Sequence, residues 1–88
     1  MYKILRSNKF KKDYKKSLKR NKNPQKLEKL LGNLVSGVKL ETKYKDHQLS
    51  GNFSNYRECH IEPDWLLIYR IEGNILILER LGTHSDLF

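Results

Sequence analysis

The strongest constraint on the fold is a set of three apolar segments near the C-terminus, separated by two very short breaks. Segments 56–61, 65–71 and 75–81 are each long enough for one strand. The break between the last two is Gly73-Asn74, a dipeptide that favours the tight two-residue turns joining antiparallel strands. The sequence therefore predicts a three-stranded antiparallel meander.

The N-terminal part of the chain has a helical period instead. Phe10, Tyr14 and Leu18 recur every four residues and predict one apolar stripe, with Ser7 or Asn8 as the helix cap.

A second helix is predicted to begin at Asn23-Pro24, because proline at the first helical position loses no needed hydrogen bond. Its apolar face consists of Leu27, Leu30, Leu31, Leu34, Val35 and Val38.

A short strand is predicted for residues 2–6, and a loop for residues 39–55, where the period is lost. The order strand, helix, helix, loop and three strands predicts an α+β fold. We expect one domain over residues 1–88, with a helical hairpin packed on one face of an antiparallel sheet.

Basic residues are concentrated at the N-terminus. Residues 1–26 hold eleven of the eighteen Lys and Arg residues and one of the ten acidic residues, Asp13. Such a patch attracts polyanions such as nucleic acid, although a solvated helix face gives the same composition.

The bulk composition favours a soluble, cytoplasmic protein. Cys59 is the single cysteine, so no internal disulfide forms, which fits a reducing compartment. The first residues lack the apolar core of a signal peptide, and the longest apolar run, 65–69, is too short to span a membrane. We expect Cys59 to be a small core residue.

Titratable residues are predicted to meet at one end of the meander. His60 and Asp64 flank the first turn, and the third strand returns to the same edge with Arg80 and His84. His47, in the loop before the sheet, is free to join them.

Histidine exchanges protons near neutral pH, arginine stabilises charge on phosphate, and an aromatic ring such as Trp65 or Phe88 stacks on a base. Together these groups are the parts needed to cleave RNA through its own 2′-hydroxyl, which requires an acid, a base and a cation but no metal.

Each residue also has a simpler interpretation. His47 could be an ordinary surface histidine, and Asp64 a carboxylate that only stabilises its turn. Arg80 could form an ion pair. Trp65 could be a core aromatic, and Phe88 could only anchor the C-terminus. The three histidines with Asp64 also have the ligand types of a metal site, although their spacing matches no standard motif.

Three stretches carry a family resemblance: DHQLSG, YRECHIEPDWLLIY and ERLGTHSDLF. Together they resemble the YafQ branch of the RelE/ParE superfamily, which comprises toxins of bacterial type II toxin–antitoxin pairs. The likeness is close over the C-terminal half, and the two helices agree in order and length.

The resemblance implies a RelE-like fold and an endoribonuclease, an mRNA interferase, that cuts mRNA at the ribosome without a cofactor. It also implies a cognate antitoxin. We expect this antitoxin to have an acidic, partly disordered segment, because the basic first helix attracts acidic residues and a disordered partner can fold across a folded toxin. We expect the free chain to be a monomer. The basic first helix fits this assignment, with Lys12 and Lys16 as candidate RNA contacts.

Carried over to this chain, the functional positions of the family are His47, His60, Asp64, Trp65, Arg80, His84 and Phe88. By hypothesis, His84 is the general acid. His60 and Asp64 supply or orient the base, with His47 assisting. Arg80 stabilises the phosphorane, and Phe88 with Trp65 positions a nucleobase.

Two alternatives remain open. A nucleic-acid-binding regulator without catalysis would use the basic helix alone. A ParE-like gyrase poison would share the scaffold but would leave the histidines without a role.

Overall fold

The computed structural model describes residues 1–88 and contains five strands and three α-helices. Two short 3₁₀ helices lie within the predicted loop, at Thr42–Tyr44 and Gly51–Phe53. The other elements are β1 (Lys3–Arg6), α1 (Asn8–Lys19), α2 (Pro24–Val35), β2 (His47–Gln48), β3 (Arg57–Glu62), β4 (Trp65–Glu72), β5 (Ile75–Gly82) and α3 (His84–Leu87).

The strands form one sheet in the order β1-β5-β4-β3-β2. Strands β3, β4 and β5 are consecutive antiparallel neighbours, so the predicted meander is confirmed. The β4–β5 turn is Gly73-Asn74, and Gly73 has the positive φ of +60° that such a turn needs. The N-terminal strand β1 pairs in parallel with β5, which makes the sheet mixed.

Both predicted helix starts are confirmed by their caps. The Ser7 hydroxyl accepts a hydrogen bond from the backbone N–H of Phe10 at 2.9 Å. The Asn23 side chain accepts one from the N–H of Gln25 at 2.9 Å, and Pro24 occupies the first turn of α2. Each cap satisfies a donor that the helix leaves unpaired.

The two long helices supply the apolar residues that cover one face of the sheet, as predicted. This helix-covered face contains the main core, a cluster of thirteen buried residues: Phe10, Leu27, Leu30, Leu31, Leu34, Tyr44, Cys59, Trp65, Leu67, Tyr69, Leu76, Leu78 and Leu81. The core position expected for Cys59 is confirmed, and burial raises the pKa of its thiol far above the usual value.

Two details of the predicted helix faces are wrong. Leu18 is 42% exposed, whereas Ser17 is buried, because Ser17 accepts a hydrogen bond from the indole of Trp65 at 3.2 Å. Val38 is 56% exposed, because α2 ends at Val35.

The opposite face carries a smaller apolar cluster of Leu66, Ile68 and Leu87. Leu87 belongs to α3, a single helical turn that the sequence analysis did not predict. The Thr83 hydroxyl accepts from the N–H of Asp86, and the Asp86 carboxylate accepts from the N–H of Thr83, which is a complete capping box. We call the side of the sheet opposite the two long helices the open face.

The α+β class and the predicted order of the major elements are confirmed. No helix in the structure combines the length and the apolar content required to cross a bilayer.

Candidate active site

The ends of three neighbouring strands bring the titratable residues together. His60 on β3 lies opposite Leu66 on β4, which in turn lies opposite Gly82 at the end of β5. Asp64 occupies the turn between β3 and β4, and His84 begins α3 directly after β5. The structure therefore places His60, Asp64 and His84 at one edge of the sheet, as predicted.

Asp64 and His84 form a hydrogen-bonded pair. Asp64 Oδ1 accepts from the backbone N–H of His84 at 2.9 Å and lies 2.7 Å from His84 Nδ1. The two hydrogen bonds lower the pKa of Asp64, so this exposed carboxylate stays ionised where histidine titrates. Because a carboxylate only accepts, Nδ1 carries a hydrogen and Nε2 is left for substrate.

A second carboxylate–histidine pair lies opposite the first. Glu58, which is buried, places Oε1 2.9 Å from Nε2 of His60. An ionised carboxylate fixes the hydrogen on Nε2, which leaves Nδ1 of His60 with a free lone pair. His47 Nε2 is 4.0 Å from the same Oε1, and its Nδ1 donates to the carbonyl of Lys45 at 2.6 Å.

The three histidine rings form a row. The ring centroids of His47 and His60 are 6.4 Å apart, and those of His60 and His84 are 5.7 Å apart. His60 is half-buried, whereas His47 and His84 are exposed. Each carboxylate–histidine pair thus leaves one ring nitrogen uncommitted, Nδ1 of His60 and Nε2 of His84, through which the ring can exchange a proton with a substrate.

Phe88 extends this row at the C-terminus. Its ring centroid is 6.5 Å from that of His84 and 5.9 Å from that of Phe53, with the two phenyl rings edge to face. Phe88 is 59% exposed, so its ring is available to a nucleobase beside His84.

Arg80 lies on β5 and is held by a residue of α1, without a hydrogen bond to His60, Asp64 or His84. Its Nε and Nη2 donate to the carboxylate of Asp13 at 2.8 and 3.3 Å. The same carboxylate accepts a hydrogen bond from the backbone N–H of Leu81 at 2.9 Å. Leu81 lies in the part of β5 that β1 does not reach. The ion pair suggested as the simpler interpretation of Arg80 is thus formed with Asp13, and it leaves three of the five guanidinium N–H donors for another acceptor.

The predicted role of Trp65 in positioning a base is wrong. Its side chain is 1% exposed and points into the helix-covered core, where Nε1 donates to Ser17. Strand alternation explains the error: Leu66, the next residue, faces the open side, so Trp65 faces the helices.

Asp86 anchors the helix that carries His84. It accepts hydrogen bonds from Arg20 Nη1 at 2.7 Å and from Lys16 Nζ at 3.3 Å, both on or next to α1. These contacts, with the cap at Thr83, hold the pKa of Asp86 well below its usual range. A Cβ built on Gly82 would lie 2.9 Å from Asp86 Oδ2, so glycine lets α3 approach the strand.

The two predicted RNA contacts on α1 differ in their surroundings. Lys16 is paired with Asp86, whereas Lys12 is exposed and has no ion pair.

Three side chains could hold a metal ion together. Glu58, His60 and His84 each offer one ligand atom, and these atoms lie within 4.8 Å of one another. Two imidazoles and a carboxylate suit zinc or copper. The grouping differs from the set considered from sequence, because Glu58 is included and His47 and Asp64 are not.

Sequence reasoning missed three residues of the site. Glu58 looked like an ordinary polar position of a strand, and only the register with β2 shows that it faces His47. Phe53 lay in a segment without a period. Asp86 had a usable signal, since Thr83 followed three residues later by an acidic residue is a capping pattern.

Comparison with known proteins agrees with this geometry. The family model described as "Bacterial toxin of type II toxin-antitoxin system, YafQ" matches residues 2–88. The mRNA interferase toxin YafQ of Escherichia coli K12 is 43% identical over 83 residues, which cover 93% of this chain and 90% of that protein.

Solved structures give the same result. The metal-bound toxin from Helicobacter pylori superimposes with a TM-score of 0.94 at 47% identity and covers 100% of both chains. The E. coli DinJ-YafQ complex contains a chain with a TM-score of 0.92 at 42% identity, with 100% of this chain and 99% of that one covered. The chain therefore belongs to the YafQ family of bacterial type II toxins.

Proposed function

We propose that this chain is an endoribonuclease toxin that cuts mRNA by metal-independent acid–base chemistry. One observation carries the proposal: the His84–Asp64 and His60–Glu58 pairs face each other with their imidazole rings 5.7 Å apart. The relatives named as mRNA interferases support the choice of RNA as substrate.

In the first step, the 2′-hydroxyl of the RNA attacks the adjacent phosphate group of the same strand. His60 Nδ1 takes the proton of the 2′-hydroxyl, and the 2′-oxygen then forms a bond to the adjacent phosphorus. Glu58 orients His60 for this step by accepting from Nε2. His47, close to the same carboxylate, adds a group that can contact the phosphate.

The second step is departure of the 5′-oxygen. The bond from phosphorus to this oxygen breaks, and His84, which begins this step as the imidazolium with a hydrogen on both nitrogens, donates its Nε2 proton to the leaving oxygen. Asp64 holds the ring through Nδ1 while the proton is transferred. The products are a 2′,3′-cyclic phosphate and a 5′-hydroxyl, so the atoms and charges balance without a co-reactant.

Arg80 is proposed to stabilise the negative charge of the phosphorane, with Asp13 fixing the direction of its guanidinium group. Phe88 is proposed to stack on the nucleobase next to His84.

A divalent cation at Glu58, His60 and His84 would supply a Lewis acid, but it would take nitrogen lone pairs that proton transfer needs. The proposed mechanism therefore expects added copper or zinc to inhibit cutting, and EDTA to leave it unchanged.

A cognate antitoxin is the proposed partner, by analogy with the DinJ-YafQ complex. A cavity of about 400 Å³ between α1 and α2 has Phe10, Tyr14 and Leu31 among its lining residues, with Lys11 and Lys15 at the same site. Apolar and basic groups together suit an amphipathic acidic segment that folds as it binds.

Primer extension on a reporter mRNA in cell-free translation tests the enzyme assignment. We expect discrete cuts with the wild-type chain and none with His84→Ala, and the same comparison without ribosomes tests ribosome dependence. A folded wild-type chain that binds RNA but leaves it intact would favour the non-catalytic regulator.

A further inference from the structure

A basic cavity lies beside His60 at the uncovered edge of β3. Strand β2 pairs only with Arg57 and Glu58, so the edge beyond them has no neighbouring strand. The cavity, of about 490 Å³, is enclosed there by this edge, by α2 and by the 3₁₀ turn at Thr42–Tyr44. His60 lines it, whereas no residue of α3 does.

Lysine is the main residue type in its wall. We call the cavity the lysine groove, after Lys26, Lys29, Lys43 and Lys45. Its one lining carboxylate, Glu62, is 3.0 Å from both Lys26 and Lys22, which lower its pKa and offset its charge. Glu41 lies 3.7 Å from Lys43, so positive charge remains in excess around the groove.

The lining favours single-stranded RNA over an acidic peptide. Flexible ammonium groups contact phosphates as point charges and do not read the bases, which suits a chain of variable sequence. A peptide that folds on binding needs apolar surface. The groove offers only Tyr44, which is buried, and Ile61, unlike the cleft between α1 and α2.

If the proposed function holds, the two histidines determine on which side of the cut the RNA segment near the groove lies. The base, His60, contacts the ribose on the 5′ side of the cut, and the acid, His84, contacts the oxygen on the 3′ side. The groove adjoins His60, whereas Phe88 adjoins His84. We propose that the lysine groove binds the phosphates of the RNA segment on the 5′ side of the scissile phosphate.

Binding of two blocked RNA probes tests this proposal. Both come from a site that the wild-type chain cuts in a reporter mRNA, and both carry a 2′-deoxyribose before the cut so that they bind intact. One extends by six nucleotides on the 5′ side and by one on the 3′ side, and the other is the reverse. Fluorescence anisotropy gives Kd over a range of KCl concentrations.

The groove variant is Lys29→Gln/Lys45→Gln, since neither lysine pairs with a carboxylate. The matched control is Lys9→Gln/Lys19→Gln, which removes the same charge from exposed positions of α1. We expect the groove variant to bind the 5′-extended probe about tenfold more weakly, with a salt slope reduced by about 1.4, since each single-strand phosphate contact contributes about 0.7. We expect the 3′-extended probe to change no more than it does with the control.

Equal weakening of both probes, or a larger effect on the 3′-extended probe, would overturn the assigned side. Unchanged RNA binding with weaker binding of the cognate antitoxin would make the groove a protein surface and reject the proposal. In each of these outcomes the wild-type chain still cuts RNA, so only the assignment of the groove fails. A wild-type chain that cuts no site in the reporter would instead refute the proposed function and, with it, the assigned side.

Discussion

The two faces of the sheet differ in what their side chains do. The helix-covered face buries thirteen apolar residues in one cluster, whereas the apolar cluster of the open face has three. The open face instead carries Glu58 and His60, with His84 and Phe88 beside them. Most of the buried apolar surface therefore lies on one face and the proposed catalytic groups on the other, so substitutions should separate stability from activity.

The largest expected effect is on the open face. His84→Ala removes the proposed general acid and should lower the cutting rate by about 10²–10⁴-fold. Because His84 is exposed, the free energy of unfolding should change by no more than about 0.5 kcal/mol. Single-turnover cutting and urea unfolding measure the two quantities, with Ser85→Ala as the control on the same helical turn. Cutting by His84→Ala at the wild-type rate would show that the acid is another group.

The converse substitution lies on the helix-covered face. Leu30 is fully buried, so Leu30→Ala should lower the free energy of unfolding by about 2–5 kcal/mol. The cutting rate per folded molecule should not change, because Leu30 belongs to the core of the helix-covered face and the proposed catalytic groups do not. Urea unfolding and active-site titration check this, with Val38→Ala as an exposed control. A specific loss of rate in the folded fraction would contradict the separation of the two faces.

Two aromatic residues sharpen the comparison, since the sequence suggested the same role for both. Phe88→Ala should raise KM about tenfold, because stacking on a base contributes about 1–3 kcal/mol. Trp65→Phe should leave KM unchanged and lower the free energy of unfolding by about 1 kcal/mol, through loss of the hydrogen bond to Ser17. Steady-state kinetics and urea unfolding of both variants distinguish the roles. An increase in KM with Trp65→Phe would count against its assignment to the core.

The smallest expected effect concerns the link between α1 and α3. The pKa of Asp86 is lower in the folded chain than in the unfolded one, so its ionised form stabilises the fold at pH values above the unfolded pKa of about 4. This stabilisation is lost as the pH falls through the acidic range below that value. Asp86→Asn should cost about 1 kcal/mol near neutral pH, and its difference from wild type should shrink toward about pH 2. Urea unfolding at several pH values measures it, and a difference that is independent of pH would contradict the ion-pair assignment.

The sequence predicted the elements whose signals are local. Gly73-Asn74 indicated the hairpin, Asn23-Pro24 indicated the start of α2, and apolar spacing indicated the core of α2. The gathering of His60, Asp64 and His84 also followed from sequence, because an antiparallel meander returns each strand to the same edge.

Other features depend on contacts between distant residues, which a single sequence does not encode locally. The parallel pairing of β1 with β5 joins the two ends of the chain. Arg80 meets Asp13 across sixty-seven positions, and no spacing rule relates them. Glu58 lies between His47 and His60 because the two-residue strand β2 pairs His47 with Glu58, and that register is not visible in the loop sequence.

The most direct test of the central claim is the chemistry of the cut ends. The wild-type chain is incubated with an RNA carrying a mapped cut site, and with the same RNA carrying one 2′-deoxyribose on the 5′ side of that cut. Attack by the 2′-oxygen with acid catalysis from His84 predicts a 2′,3′-cyclic phosphate and a 5′-hydroxyl from the first RNA, and no cut in the second. A 5′-phosphate product, or cutting of the deoxy-substituted RNA at the same position, would contradict the proposed function of the open face.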